Sequence, residues 1–125
     1  MWTADGVPTL ENVKSAPSRT AMIAAVARGW FRMTETPPWV LDDALALVLT
    51  GPAWHELGEQ LDLLFPGQIG REARAAVCVR GRLAEDRLHT GPFTQYVILG
   101  AGLDSFAWRR PDLLLCRALQ VRGCP

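Results

Sequence analysis

The stretch 95-QYVILGAGLDSFAWRRPD-112 decides which fold the sequence predicts. An apolar run at 96–99 ends in the Gly-Ala-Gly of 100–102, and Asp104 follows after one leucine. A continuous apolar run is typical of a parallel strand that is buried on both faces of a sheet. In open α/β sheets, ligands bind where such strands end. We therefore predict a buried strand that leads into a ligand-binding turn.

The glycine turn has two interpretations. Gly102 removes a side chain where a ligand approaches the backbone, which favours a nucleotide-type cofactor; the alternative is a tight strand-to-helix turn that binds nothing. A dinucleotide site needs a third glycine three residues after the second, and Ser105 occupies that position. A cofactor with a pyrophosphate is therefore disfavoured, whereas S-adenosylmethionine does not require the third glycine.

The composition is that of an ordinary globular chain without a preference for polyanions. Of 125 residues, 49% are hydrophobic, and 13 basic residues balance 13 acidic ones. Because the charges balance, we expect no nucleic acid as a partner. We also expect no membrane as a partner, since no apolar run approaches the ~20 residues of a membrane span. The three cysteines lack CxxC spacing and no secretory signal is visible, so we expect reduced thiols, no metal site and a cytoplasmic location.

The pattern along the chain predicts three parts. Residues 1–17 show no periodicity and are expected to be a mobile arm. Residues 18–92 carry helical patterns and are predicted to form a helical cap. Helices that precede a first strand are typical of a cap placed before an α/β core. Residues 93–125 therefore begin an α/β domain, which we expect to be incomplete because the thirteen residues after Asp112 are too few for a sheet.

Within the cap, local signals place the helices. Ser18 is a good N-cap for the first helix. Either Asp42 or Asp43 is expected to cap a short second helix, which the Gly-Pro that follows it ends. Residues 54–65 and 69–88 have the spacing of amphipathic helices, and a Pro-Gly turn separates them.

Four segments in order resemble one family. VILGAGLDSFAWRRPD at 97–112 resembles the first cofactor motif of the leucine carboxyl methyltransferase-like family of S-adenosylmethionine-dependent methyltransferases. SRTA at 18–21, PPWVLDD at 37–43 and RGRLAED at 80–86 are similar to further segments of that family. The resemblance implies an α/β, Rossmann-like class I methyltransferase fold, of which this chain holds the helical cap and the first strand or strands.

The resemblance also implies that six residues bind S-adenosylmethionine: Gly100, Ala101, Gly102, Asp104, Arg80 and Arg19. The methionine part would lie against the turn, and its carboxylate would meet the arginines, because a guanidinium fork suits a carboxylate. For each arginine the alternative is a solvated charge on a helix. The aspartate would accept from the cofactor's amino group or cap the next helix. No catalytic residue is assigned, because alignment of donor and acceptor carries such reactions.

The C-terminal tail departs from the resemblance. The family's second strand ends in an acidic residue that accepts both ribose hydroxyls of the cofactor, and the place for it is just after residues 119–121. The chain continues there with Arg-Gly-Cys-Pro. Codons for residues 121–125 can encode Phe-Glu-Val-Ala when read one base over, which hints at a frameshifted tail. We therefore expect a truncated chain that is inactive by itself.

The predicted function is methyl transfer from S-adenosylmethionine to the carboxylate or hydroxyl oxygen of a small molecule. The alternative is a non-catalytic helical fragment or interaction module that self-associates through the unpaired strand at 95–99. A nicotinamide-cofactor domain is the weakest reading, because it needs both the third glycine and an acidic residue that the sequence lacks.

Overall fold

The computed structural model describes residues 17–113, which are mainly helical. The helices in chain order are α1 (Arg19–Thr34), α2 (Ala46–Thr50), α3 (Trp54–Leu64), α4 (Gly67–Thr90) and α5 (Phe106–Arg109). Helix α1 lies at the centre, because α2, α3 and α4 all pack against it. Nearly all of the predicted arm at 1–17 and the predicted tail lie outside the described residues. The part boundaries at 17/18 and 92/93 stay predictions.

Helix α1 begins where the sequence predicts. The Ser18 backbone is extended, and its Oγ accepts from the Ala21 amide at 3.2 Å, which confirms Ser18 as the N-cap. The helix runs past Gly29, where an added Cβ would lie 2.4 Å from Leu47 Cγ of α2. Small residues on α1 therefore let its neighbours pack close to its backbone.

The prediction that Asp42 or Asp43 caps the second helix is wrong. Helix α2 begins at Ala46 and has no side-chain cap. The carboxylate of Asp42 instead pairs with Arg32, and that of Asp43 pairs with Arg28. Both arginines lie on α1. The two carboxylates therefore form ion pairs with another helix and do not bind the backbone amides at the start of α2.

The amphipathic helices predicted at 54–65 and 69–88 are confirmed as α3 and α4. At the contact between α1 and α3, an added Cβ on Gly58 would lie 2.2 Å from the ring of Trp30. The same indole donates to Asp62 at 3.0 Å. This glycine is therefore required so that the indole can contact the backbone of α3 and still reach its acceptor.

Two clusters of buried side chains hold the described residues together. The first contains Phe31, Leu41 and Cys78 and joins α1, the connection after it and α4. The second contains Leu88, Phe106 and Leu113, so it anchors the segment after the glycine turn to the last turns of α4.

The predicted α/β, Rossmann-like fold is wrong for the described residues. Residues 17–113 contain no strand, and 95–99 is an irregular segment. Its side chains are not buried on both faces, since Val97 is 71% and Leu99 89% exposed. A strand is stabilised only by hydrogen bonds to a neighbouring strand and by burial of its face. The ring of Tyr96 contacts Phe106, but no segment between residues 17 and 113 is a partner strand, so the apolar run stays unpaired.

No helix among residues 17–113 is both long enough and apolar enough to cross a membrane.

We expect Gly58→Ala to destabilise the fold by about 1–3 kcal/mol, because the new methyl group overpacks against the Trp30 ring. Gly81→Ala on α4 is the matched control. Its Cβ would meet only Leu41 Cδ2 at 3.2 Å, and the gain in helix propensity of about 0.5–1 kcal/mol opposes that contact. Urea unfolding of both variants checks the difference. A Gly58→Ala chain as stable as the unchanged chain would contradict the contact with Trp30.

Candidate functional site

The Gly-Ala-Gly segment forms a tight turn, as predicted. The Asp104 amide donates to the Ala101 carbonyl at 2.9 Å, which closes the turn. Gly100 has φ 61° and Gly102 has φ 53°. Residues with a Cβ rarely adopt such angles, so the two glycines are required by the backbone of the turn itself.

The two glycines face different surroundings. An added Cβ on Gly102 would lie 2.7 Å from the Cβ of Ala21, so the missing side chain lets the turn approach α1. An added Cβ on Gly100 would meet nothing within 4 Å. The approach of a ligand was predicted at Gly102, whereas helix α1 occupies that side of the glycine. Gly100 is the glycine with an open side.

Two open cavities meet at the turn. The first, of about 420 Å³, lies between the start of α1 and residues 100–103. The second, of about 370 Å³, lies between α1, α4 and residues 98–101. Gly100, Ala101 and Arg28 line both cavities, so the turn forms a wall between them.

Five of the six residues that the resemblance implies lie around these cavities. The three residues of the turn, Gly100, Ala101 and Gly102, line the first cavity, and Arg80 and Asp104 line the second. The side chain of Arg80 is exposed and makes no hydrogen bond or ion pair with the described residues. Arg19 is exposed at the start of α1 and lines neither cavity.

The carboxylate of Asp104 makes a local bond before α5. Its Oδ1 accepts from the Phe106 amide at 2.8 Å, whereas the N-cap residue of α5 is Ser105, which makes no side-chain capping bond. The two roles predicted for Asp104, ligand acceptor and helix cap, stay predictions. Its Oδ2 makes no hydrogen bond with the part of the chain that the structure describes, so that oxygen can still accept from a ligand in the second cavity.

A polar network behind the turn consists of Asp43, Arg28, Ser105, Arg109 and Glu85; we call it the Asp43 network. Asp43 is 0% exposed, and its Oδ2 accepts from Arg28 Nε at 2.8 Å and from Ser105 Oγ at 2.6 Å. Arg109 Nε donates to Ser105 Oγ at 2.8 Å, and Arg109 Nη2 donates to Glu85 Oε1 at 2.6 Å. Two guanidinium groups and two carboxylates therefore balance in a largely buried space.

The Asp43 network reaches the turn directly. Arg28 Nη2 donates to the Leu103 carbonyl at 2.7 Å, and Ser105 follows Asp104 in the chain. This network was not predicted from the sequence, because Asp43 was expected to cap a helix and the other members were given no role. One signal was available: Asp43 lies in PPWVLDD, Glu85 lies in RGRLAED, and Ser105 and Arg109 follow the glycine turn. Sequence alone does not show that these segments meet.

Cys78 lies beside the Asp43 network but is unsuited to nucleophilic chemistry. The pKa of its thiol is raised to about 11, mainly by burial. Two nearby charges have smaller effects: Arg28 lowers this pKa and Asp43 raises it. Because the thiolate is the reactive form, this cysteine is a neutral core residue near pH 7. No group of three His, Cys, Asp or Glu side chains between residues 17 and 113 comes together as a metal site.

Comparison with known protein families matches residues 21–121 to the leucine carboxyl methyltransferase family. The match extends over the glycine turn, α4 and nearly all of α1. No curated protein and no solved structure matches the chain. The assignment of the chain to a family therefore rests on this match.

We expect Gly102→Ala to destabilise the protein more than Gly100→Ala. Both place a Cβ at positive φ, which costs roughly 1–2 kcal/mol. Only the change at 102 adds a clash with Ala21, which raises the cost by about another 1–3 kcal/mol. Urea unfolding of the two variants measures the difference. Equal stabilities would contradict the close packing of the turn on α1.

Proposed function

The chain belongs to the leucine carboxyl methyltransferase family, and from this premise we propose that it binds S-adenosylmethionine at the glycine turn. The acceptor in this proposal is the carboxylate or hydroxyl oxygen of a small molecule. The observation that carries the proposal is the position of Arg80, a cation that makes no ion pair with residues 17–113 and lines the same cavity as Gly100. An arginine with free donors beside a glycine backbone fits a ligand with a carboxylate.

The second cavity suits the methionine end of the donor. That end carries a carboxylate and an ammonium group. Arg80 offers guanidinium donors to the carboxylate, while Oδ2 of Asp104, which makes no hydrogen bond with the described residues, is an acceptor for the ammonium. Gly100 allows the ligand to lie against the backbone because no side chain fills that space. The opposite charges at the two positions would fix the direction in which the donor lies.

S-adenosylmethionine supplies a methyl group on a positively charged sulfur, which makes that methyl an electrophile. The task left to the protein is alignment of the acceptor oxygen with the methyl group, a contribution of proximity and orientation. In the proposal, Arg80 and Asp104 hold the donor, and the turn backbone sets its depth in the cavity. No general base is assigned among residues 17–113.

We expect Arg80→Gln to weaken binding of S-adenosylhomocysteine, the product that keeps the same methionine end. Loss of a charge-assisted hydrogen bond costs roughly 1.5–3 kcal/mol, which corresponds to about a tenfold to hundredfold rise in Kd. Isothermal titration calorimetry measures it. Arg82→Gln is the matched control, because Arg82 lies two positions away on α4 and pairs with Asp86 outside the site.

Three outcomes decide between the parts of this proposal. No binding by the unchanged chain would contradict the donor site altogether. Equal affinity of the Arg80→Gln and Arg82→Gln variants would remove the role of Arg80. The same titration with Arg19→Gln tests the other arginine that the resemblance implies, which the described residues leave apart from both cavities.

The expected inactivity of the chain by itself stays a prediction, because the place for the acidic residue after 119–121 falls outside the described residues. Transfer of labelled methyl to a panel of small carboxylic acids and alcohols tests it, and turnover by the unchanged chain would contradict it. A cytoplasmic location, and the lack of nucleic-acid and membrane partners, belong to the same proposal. Cell fractionation and binding to DNA or vesicles test them.

Self-association is the second proposal, and the exposed apolar segment at 96–99 favours it. We expect the backbone of this segment to pair with the same segment of a second copy, since exposed apolar residues whose backbone is unpaired within residues 17–113 are a site for such pairing. Replacing both Val97 and Leu99 by serine should shift the chain toward monomer in sedimentation velocity. A mass distribution that is the same for both chains at every concentration would contradict this pairing.

A further inference from the structure

We infer that Asp43 is a positioning residue of the donor site: its buried carboxylate holds the glycine turn in the shape that binds the cofactor. The inference rests on the proposed function and deepens it by adding a residue behind the site. Asp43 itself lines neither cavity. It acts through Arg28 and Ser105, which reach the turn from two sides.

The geometry gives Asp43 two connections to the turn. Through Arg28, which donates with Nε to Asp43 and with Nη2 to the carbonyl of Leu103, it holds the backbone directly after Gly102. Through the hydroxyl of Ser105 it holds the residue that follows Asp104. The segment 103–105 is thus fixed at both ends from one carboxylate oxygen, and the ligand-facing groups of the turn precede or lie within it.

The electrostatics explain why a carboxylate is needed at this position. The side chains of Arg28 and Arg109 are only 13% and 12% exposed, and the acidic partners are Asp43 and Glu85. The Oδ1 of Asp43 makes no hydrogen bond with the described residues but lies 3.5 Å from Arg109 Nε. Neutralising Asp43 removes the carboxylate that pairs with Arg28 and leaves Arg109 with Glu85, which also lies 3.9 Å from Arg110. An uncompensated, largely buried charge is strongly unfavourable. Relief requires the arginines to move, and Arg28 moves the turn with it.

A displaced turn would weaken the donor site without removing any group that touches the donor. Binding groups must be held within roughly 0.5 Å of their productive positions by the residues behind them. The backbone at Gly100 and the carboxylate of Asp104 both depend on the shape of the turn. Arg80 lies on α4. The alignment of these groups with Arg80 is therefore lost when the bonds from Asp43 to Arg28 and Ser105 are broken.

Asp42 is the matched control. It is the neighbouring residue and also pairs with an arginine of α1, but its side chain is 59% exposed and its partner Arg32 does not contact the turn. Exposed pairs of this kind contribute little. Asp42→Asn therefore makes the same chemical change one position away, outside the Asp43 network.

The experiment compares Asp43→Asn, Asp42→Asn and the unchanged chain by calorimetric titration with S-adenosylhomocysteine at low temperature, after thermal unfolding has shown that each is folded. We expect Asp43→Asn to raise Kd about tenfold or more, equal to ~1.4 kcal/mol or more. We expect Asp42→Asn to stay within about twofold. Ser105→Ala removes one of the two connections, so its Kd should lie between those of the two aspartate variants. It replaces Asp43→Asn in the comparison if that variant does not fold.

Hydrogen exchange separates a local effect on the turn from a general loss of stability, because a general loss would raise the exchange rates of amides throughout the described residues. The Asp104 amide donates to Ala101 within the turn, and it should exchange faster in Asp43→Asn while amides of α3 keep their rates. Gly58→Ala, whose clash lies at Trp30 away from the network, provides a destabilised chain with the turn intact. Its affinity for S-adenosylhomocysteine at low temperature should be unchanged.

Two results would overturn the inference. One is an Asp104 amide that exchanges at the same rate in Asp43→Asn and in the unchanged chain. The other is a loss of affinity in Asp43→Asn no larger than that of Gly58→Ala. If the unchanged chain does not bind S-adenosylhomocysteine, the proposed function fails, and the exchange rate of the Asp104 amide still decides whether Asp43 holds the turn.

Discussion

The buried carboxylate of Asp43, shared between Arg28 and Ser105, is the interaction on which the described structure depends. A charge in a protein interior is tolerated when it is paired and hydrogen-bonded. Asp43 comes from the connection after α1, Arg28 from α1 and Ser105 from the end of the glycine turn. Because the charge requires all its partners in place, these three parts of the chain cannot move independently.

The site follows from this constraint together with the backbone of the turn. Positive φ at Gly100 and Gly102 shapes the turn, while contact of Gly102 with Ala21 presses it onto α1. Gly100 then lines a cavity that Arg80 of α4 also lines, and Arg80 makes no ion pair with residues 17–113. The chain belongs to the leucine carboxyl methyltransferase family, so the binding of a methyl donor at this place is the proposal that family and geometry support together.

Local features were predictable, and features that require a partner elsewhere were not. The N-cap at Ser18 and the two amphipathic helices α3 and α4 depend on residues within a few positions, so periodicity and capping rules predicted them. The strand at 95–99 was wrong, because an apolar run becomes a strand only with a neighbour to pair with. The capping roles of Asp42 and Asp43 were wrong, because arginines on α1 bind both carboxylates.

The sequence by itself determined the helices, the glycine turn and the resemblance to a methyltransferase family, because each is written in short runs of residues. Only the tertiary structure decided what Asp43, Gly100 and Gly102 do. The partners of Asp43 lie 15 and 62 positions away in the chain, and the space beside each glycine is set by whichever element packs there. Which carboxylate is buried, and which glycine stays open to a ligand, are properties of packing.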